Sequence, residues 1–171
     1  MSQFEVVRRI EVPSPRVWAA LSDFKGIHRF HPRIERADLL TAENCGLGAE
    51  RVCHMYGGKD HVTERIVEWQ EGRSLAVSIL DTTMPLESAW ARLAVEPDGA
   101  ASRVTFEMRY QPRYGLLDRI MDAAFMGRMM RTLGEQLLAG LEHHLRTGET
   151  VGEGGVHVTV EATQPTHAGP V

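Results

Sequence analysis

The sequence predicts an α+β domain in which one strand, two short helices and six further strands lead into a single long helix. Three observations carry this. Phe4, Val6, Ile10 and Val12 alternate with Gln3, Glu5, Arg9 and Glu11, the period of a half-buried strand. From residue 34 onward, alternating segments are separated by short turn signals. From Tyr114 to Leu145, apolar residues recur at helical spacing.

Each element has its own signal. Arg8 interrupts the apolar face of the first strand, so it needs either the end of the sheet or a partner. Pro13-Ser14-Pro15 stops that strand, offers Ser14 as an N-cap and puts proline at the first helical position. Val17, Ala20, Leu21 and Phe24 mark the buried side of the first helix, with Trp18 flanking them. Gly26 breaks it, and a second short helix runs to Phe30 before Pro32 ends it. Strands follow near 34–41, 49–56, 61–70, 74–81, 86–96 and 102–111. The turns between them hold Gly46-Leu47-Gly48, Gly57-Gly58-Lys59-Asp60, Glu71-Gly72 and Pro97-Asp98-Gly99. Turns this short join antiparallel neighbours and imply a meander. With Gly58-Lys59 as the hairpin loop, His54 falls opposite Thr63 and His61 opposite Tyr56, which keeps the two histidines apart.

The long helix places Met126, Met130, Leu133, Leu137 and Leu141 on one face, and Arg128, Arg131, Glu135 and Glu142 largely elsewhere. Gly127 and Gly134 flank Met130 on the inward side. An interior glycine costs about 0.5–1 kcal/mol relative to alanine, so each marks either space beneath the helix or a close helix-to-sheet contact. Met121, Met126, Met129 and Met130, with Phe125, form a soft cluster suited to ligands of variable shape and equally to ordinary core packing. A loosely packed helix across a curved sheet encloses a cavity.

With 171 residues and 43% hydrophobic content, the chain can build one core. Residues 1–147 form the expected ligand-binding domain and 148–171 a flexible tail, in which Val156–Val160 alternates like a strand. The net charge of −4 and the lack of a Lys/Arg run exclude a nucleic-acid surface. No apolar stretch is long enough for stable membrane insertion, and Met1–Glu5 does not read as a signal peptide. Two cysteines, Cys45 and Cys53, fit a reduced cytoplasmic setting. No Cys-x-x-Cys or His-Glu-x-x-His occurs, and neither a metal nor another cofactor is expected. The expected assembly is a monomer or homodimer.

Several segments together resemble the START-like, helix-grip superfamily (SRPBCC), in its polyketide cyclase/dehydrase and lipid-transport branch. They are Ile10–Trp18, Asp23-Phe24 leading to Phe30-His31-Pro32-Arg33-Ile34, Gly46-Leu47-Gly48, Glu64–Trp69, Ser102–Phe106 and the terminal helix. The resemblance covers residues 3 to 147. Phe30-His31-Pro32 stands where relatives often have Trp-His-Pro. It implies a helix-grip fold, a seven-stranded curved antiparallel sheet around the long helix, with a hydrophobic tunnel between them. Members bind lipids, sterols, hormones or polyketides, and a minority catalyse cyclisation or dehydration there.

Within that frame the tunnel wall is expected from Val62, Ile66, Ser78, Leu80, Trp90, Met126, Met130 and Gly134. Glu64 lies between Val62 and Ile66 and points inward if they do, as an acid or base in an apolar setting. The resemblance to hormone receptors of this fold implies a pocket carboxylate at Glu107, an aromatic at Trp90 and a ligand-contacting basic group at His31. An interior Arg92–Glu107 pair either holds a ligand or neutralises itself as scaffold. Val104, Phe106, Met108 and Tyr110 claim the opposite face of the same strand, and a bulge would be needed to reconcile the two. Three functions follow in order: a carrier for a small hydrophobic molecule; a polyketide cyclase/aromatase or dehydratase using Glu64, His31, Arg92 and Glu107; and a protein-interaction module with an incidental cavity.

Overall fold

The computed structural model describes residues 1–113 and 121–155. Strand β1 (Ser2–Ile10) is followed by helix α1 (Ser14–Ser22) and a 3-10 helix (Phe24–Arg29). Strands β2 (Ile34–Leu39), β3 (Glu50–Met55), β4 (His61–Gln70), β5 (Ser74–Thr82), β6 (Leu86–Asp98) and β7 (Ala101–Pro112) come next, then helix α2 (Met121–Thr147). All seven strands form one antiparallel sheet in the order β1-β7-β6-β5-β4-β3-β2. The meander is therefore as expected, and the first strand closes onto the last. Residues 114–120, where the sequence reading starts the long helix, lie outside the described residues, as does Val156–Val160. No helix among the described residues is long and apolar enough to cross a membrane.

Local details differ from the sequence reading at three points. Pro13, not Ser14, caps α1, and no side chain bonds the cap; Ser14 is already helical. The break between the first two helices falls at Asp23, and Gly26 lies buried inside the 3-10 helix. The β3–β4 loop is wider than a two-residue turn, so His54 pairs directly with His61.

Helix α2 packs on β1 and β7. Arg8 finds its partner there, its Nε 2.6 Å from Glu142 Oε2, and Arg131 donates to the Glu5 carbonyl at 3.0 Å. At Gly134 the contact is tight. A Cβ at this position would lie 2.8 Å from Phe106 Cδ1 and 3.1 Å from Phe4 Cε2. Gly134 therefore marks close approach of helix to sheet, not open space, and a larger side chain there would press into two aromatic rings. At Gly127 a Cβ would meet Tyr110 Oη at 3.7 Å, an ordinary contact distance. Gly140 is tighter still, since a Cβ there would collide with the Phe30 carbonyl oxygen.

The chain beyond α2 does not leave the domain at once. Val151 is buried, and its N–H donates to the Arg29 carbonyl at 2.8 Å. Gly154 N–H donates to the Pro32 carbonyl at 3.0 Å. Residues 148–155 thus strap the connection between the 3-10 helix and β2, a correction to the reading of a tail that is free from residue 148. Glycine-rich composition hid this because the bonds are made by backbone, which any residue supplies. Burying one valine contributes about 1.5–3 kcal/mol. We expect a chain ending at Gly148 to melt several degrees below one ending at Gly155; equal melting temperatures would show that the strap bears no load.

Candidate functional site: a cavity between sheet and helix

A cavity of about 450 Å³ lies between the inner face of the sheet and the first half of α2. Strand alternation determines its wall. Val62 from β4, Leu75, Val77 and Ile79 from β5, Ala89, Ala91 and Leu93 from β6, and Phe106 and Met108 from β7 face it. Met130, Leu133 and Leu137 close it from the helix. Arg33, Asp60, Phe125, Arg128, Met129 and Thr132 are exposed residues at its edge.

A small polar cluster interrupts this apolar wall. Arg51, Cys53 and Met55 occupy the inward face of β3 and line the cavity. Arg51 is cross-strand partner of Glu64, and its Nε and Nη2 donate to Glu64 Oε2 at 2.8 and 2.6 Å. Its Nη1 donates to the Phe24 carbonyl, and the guanidinium lies 3.9 Å from the centre of the Phe24 ring. Burial alone would lower the Arg51 pKa, but the Glu64 charge and the hydrogen bonds outweigh it, so the arginine is held charged. Cys53 Sγ is 3.9 Å from Glu64 Oε2. Burial pushes its thiol up to about 12 even against the attraction of Arg51, so it is an inert side chain at neutral pH.

His31 lies beside this cluster. Burial, then the charges of Arg51 and Arg33, lower its pKa to about 3. It is therefore neutral across the physiological range, not the basic group that the resemblance implies. The Arg33 backbone N–H donates to His31 Nδ1 at 3.1 Å. Phe30 and Pro32, on either side of it, are gripped by Gly140 and by the strap.

The structure brings together only some of the residues singled out in the sequence. His31, Glu64, Val62, Trp90 and Met130 border the cavity. Trp90 does so while its ring stacks under the Arg109 guanidinium, 4.6 Å away. Arg92 and Glu107 are not among the lining residues. They are register partners, but Val104, Phe106, Met108 and Tyr110 take the inner face of β7 without a bulge, which turns Glu107 outward. There it pairs with Arg109 at 2.6 Å, while Arg92 donates to Ser74 Oγ at 3.2 Å. Ser78 and Leu80 also face away, because Leu75, Val77 and Ile79 hold the inner positions of β5; Leu80 is 46% exposed. Ile66 and Met126 are core residues away from the cavity, and Gly134 sits at the tight contact described above. Of the soft cluster, Phe125, Met129 and Met130 border the cavity, and the Met121 side chain lies outside the described residues.

Arg51, Cys53 and Arg33 were not singled out by sequence. The usable signal is the alternation of Arg51, Cys53 and Met55 against Glu50, Val52 and His54, which aligns an arginine with two apolar side chains. On the sheet, His54 bonds Asp38 at 3.1 Å and His61 bonds Asp81 at 2.9 Å. Among the described residues no group of three or more His, Cys, Asp or Glu side chains is placed to hold a metal ion.

The neutral state of His31 makes stability depend on pH. Its folded pKa lies below the ordinary value of 6.5, so as pH falls the unfolded chain takes up this proton first. The stability it contributes is complete above about pH 6.5 and is lost as pH falls toward about 3. Urea midpoints across this range should fall less steeply for His31→Phe than for the unmodified protein. Parallel profiles would show that His31 is not a buried neutral group.

Several solved structures share this architecture. One from Thermus thermophilus superposes with a TM-score of 0.72 at 18% identity, over 86% of this chain and 99% of that one. A START superfamily protein from Mycobacterium smegmatis gives 0.70 at 10% identity, over 84% and 97%. The di-domain ARO/CYC BexL from the BE-7585A biosynthetic pathway gives 0.69 at 18% identity, over 85% of this chain and 47% of that one. At such identities these likenesses establish the helix-grip fold and nothing of the chemistry. No curated protein matches the sequence. The family model described as polyketide cyclase / dehydrase and lipid transport matches residues 1–146, and the chain belongs to that family.

Proposed function

We propose that this protein binds a small, largely apolar molecule in the cavity between sheet and helix. The observation that carries the reading is the cavity itself, about 450 Å³ walled mainly by aliphatic, methionine and aromatic side chains. Such a volume lies within the roughly 300–1,000 Å³ typical of ligand pockets, and a few fixed polar groups in an apolar wall are what orient a ligand. Phe125 and Met129, 68% and 41% exposed, give the edge of the cavity an apolar surface for a ligand to cross. Residues 1–147 form the binding domain in this reading. Its two free thiols fit a reducing compartment, and we place the protein in the cytoplasm.

A second reading, a cyclase/aromatase or dehydratase working in the same cavity, is favoured by the Glu64 carboxylate facing an apolar interior beside His31. The name of BexL, one of the structural relatives, points the same way. In that reading Glu64 moves a proton and neutral His31 polarises a carbonyl by hydrogen bonding. Arg92 and Glu107, outside the cavity, take no part. Against catalysis stands the Arg51 ion pair, which already engages one oxygen of the Glu64 carboxylate through two hydrogen bonds.

The test is a cavity-filling variant. Ala91 lines the cavity, and Ala91→Phe should abolish binding of the neutral probe N-phenyl-1-naphthylamine while shifting the melting temperature by only a few degrees. Normal probe binding by this variant would contradict the cavity reading. Glu64→Gln separates carrier from enzyme: turnover of polyketide-like or enone compounds should fall by about 10²–10⁴ if Glu64 is the acid or base. We expect no turnover by the unmodified protein; turnover there, lost in Glu64→Gln, would establish the enzyme.

A further inference from the structure

Two polar atoms on cavity-lining side chains have no hydrogen-bond partner among the described residues. The first is on His31. Its Nδ1 accepts the Arg33 backbone N–H, so the ring proton sits on Nε2, which is then a donor. Among the described residues nothing accepts from it. The second is on Glu64. Both bonds from Arg51 and the contact from Cys53 Sγ fall on Oε2, leaving Oε1 as an acceptor with no partner among the described residues. Among these residues no fully sealed side-chain nitrogen or oxygen lacks a hydrogen-bond partner, so Nε2 and Oε1 are accessible atoms. Both side chains line the cavity; the Arg51 guanidinium bonds Glu64 and its charge reaches His31.

The charge balance at this spot narrows what it accepts. Arg51 and Glu64 cancel, His31 is neutral because its pKa is lowered to about 3, and the Arg33 charge lies at the exposed edge, where solvent screens it. A carboxylate placed here would face Glu64, whose neutralising partner is already engaged, and the desolvation of a second negative charge would be uncompensated. An ammonium group would meet the donor on His31 and the charge of Arg51. A hydroxyl accepts from one atom and donates to the other, satisfying both.

We infer that the molecule bound here is a neutral alcohol or phenol on an apolar body, its hydroxyl shared between His31 Nε2 and Glu64 Oε1. The inference rests on the ligand-binding reading above and adds the chemical class of the ligand. The remaining surface of the molecule is held by the wall formed by Val77, Ile79, Met108 and Leu133.

Four compounds on one skeleton test it: 2-naphthol, 2-methoxynaphthalene, naphthalene and 2-naphthoate, each titrated at pH 7.5 by displacement of N-phenyl-1-naphthylamine. 2-Naphthol should bind about 10–100-fold more tightly than naphthalene, as expected for hydrogen bonds of which one has a charged partner. The methyl ether, which keeps only the bond from His31, should fall between them, and the naphthoate should be weakest. His31→Phe should remove the advantage of the methyl ether over naphthalene. If that variant does not fold, imidazole nitrogen NMR of the unmodified protein serves instead: the Nε2 signal should move with 2-naphthol and stay with naphthalene. Equal affinity for 2-naphthol and naphthalene, tighter binding of the naphthoate, or an unresponsive Nε2 would overturn the hydroxyl assignment and leave apolar binding standing. Failure of all four compounds and of the probe to bind would overturn both.

Discussion

The site depends on where α2 is allowed to touch the sheet. At Gly134 the helix backbone comes so near Phe106 and Phe4 that a side chain would not fit, and at Gly140 it meets the Phe30 carbonyl. These contacts hold the helix on the β1–β7 side, reinforced by Arg8–Glu142 and by Arg131 on the Glu5 carbonyl. The sheet continues from β7 through five more strands to β2, and a curved sheet cannot be met along its whole width by one straight helix. The distance left over beneath β3–β6 is the cavity. Gly134, which in sequence could equally have made room beneath itself, instead makes room beside itself.

A second constraint is the ion pair between buried Arg51 and part-buried Glu64. Removing Arg51 and Glu64 from water costs several kcal/mol per ion, offset here by two hydrogen bonds to one carboxylate oxygen, a third from the guanidinium to the Phe24 carbonyl, and stacking on the Phe24 ring. Such a pair is weak evidence for stability, since apolar residues of the same volume would serve as well. Its position makes a functional reading more economical. It puts one fixed polar spot in a mainly apolar chamber, and the same arginine charge helps to keep His31 neutral. The strap over Arg29–Pro32 fixes the segment from which that histidine projects.

Much of the fold was legible because its signals are local. Gly-rich turns set the meander, and the alternation of Phe4 and Ile10 set β1. Glu64 was readable as inward because its apolar neighbours two residues away on each side admit only one face. At Glu107 two alternations competed, one apolar and one suggested by resemblance, and the apolar set Val104–Tyr110 won because burying four such side chains outweighs anything one ion pair offers. Ser78 and Leu80 failed for the same reason in β5. Gly134 was ambiguous in principle, as a glycine fits a void and a contact equally. The strap was invisible because its two bonds to Arg29 and Pro32 use backbone atoms alone.

The most direct test of the account is to locate a bound apolar molecule by intermolecular NOEs to assigned methyl groups. With N-phenyl-1-naphthylamine bound, contacts should appear to Val77, Ile79, Met108 and Leu133, which surround the cavity. Contacts to the exposed Val7, Val67 or Leu80 in place of these would put the ligand on the outside of the protein and contradict the account.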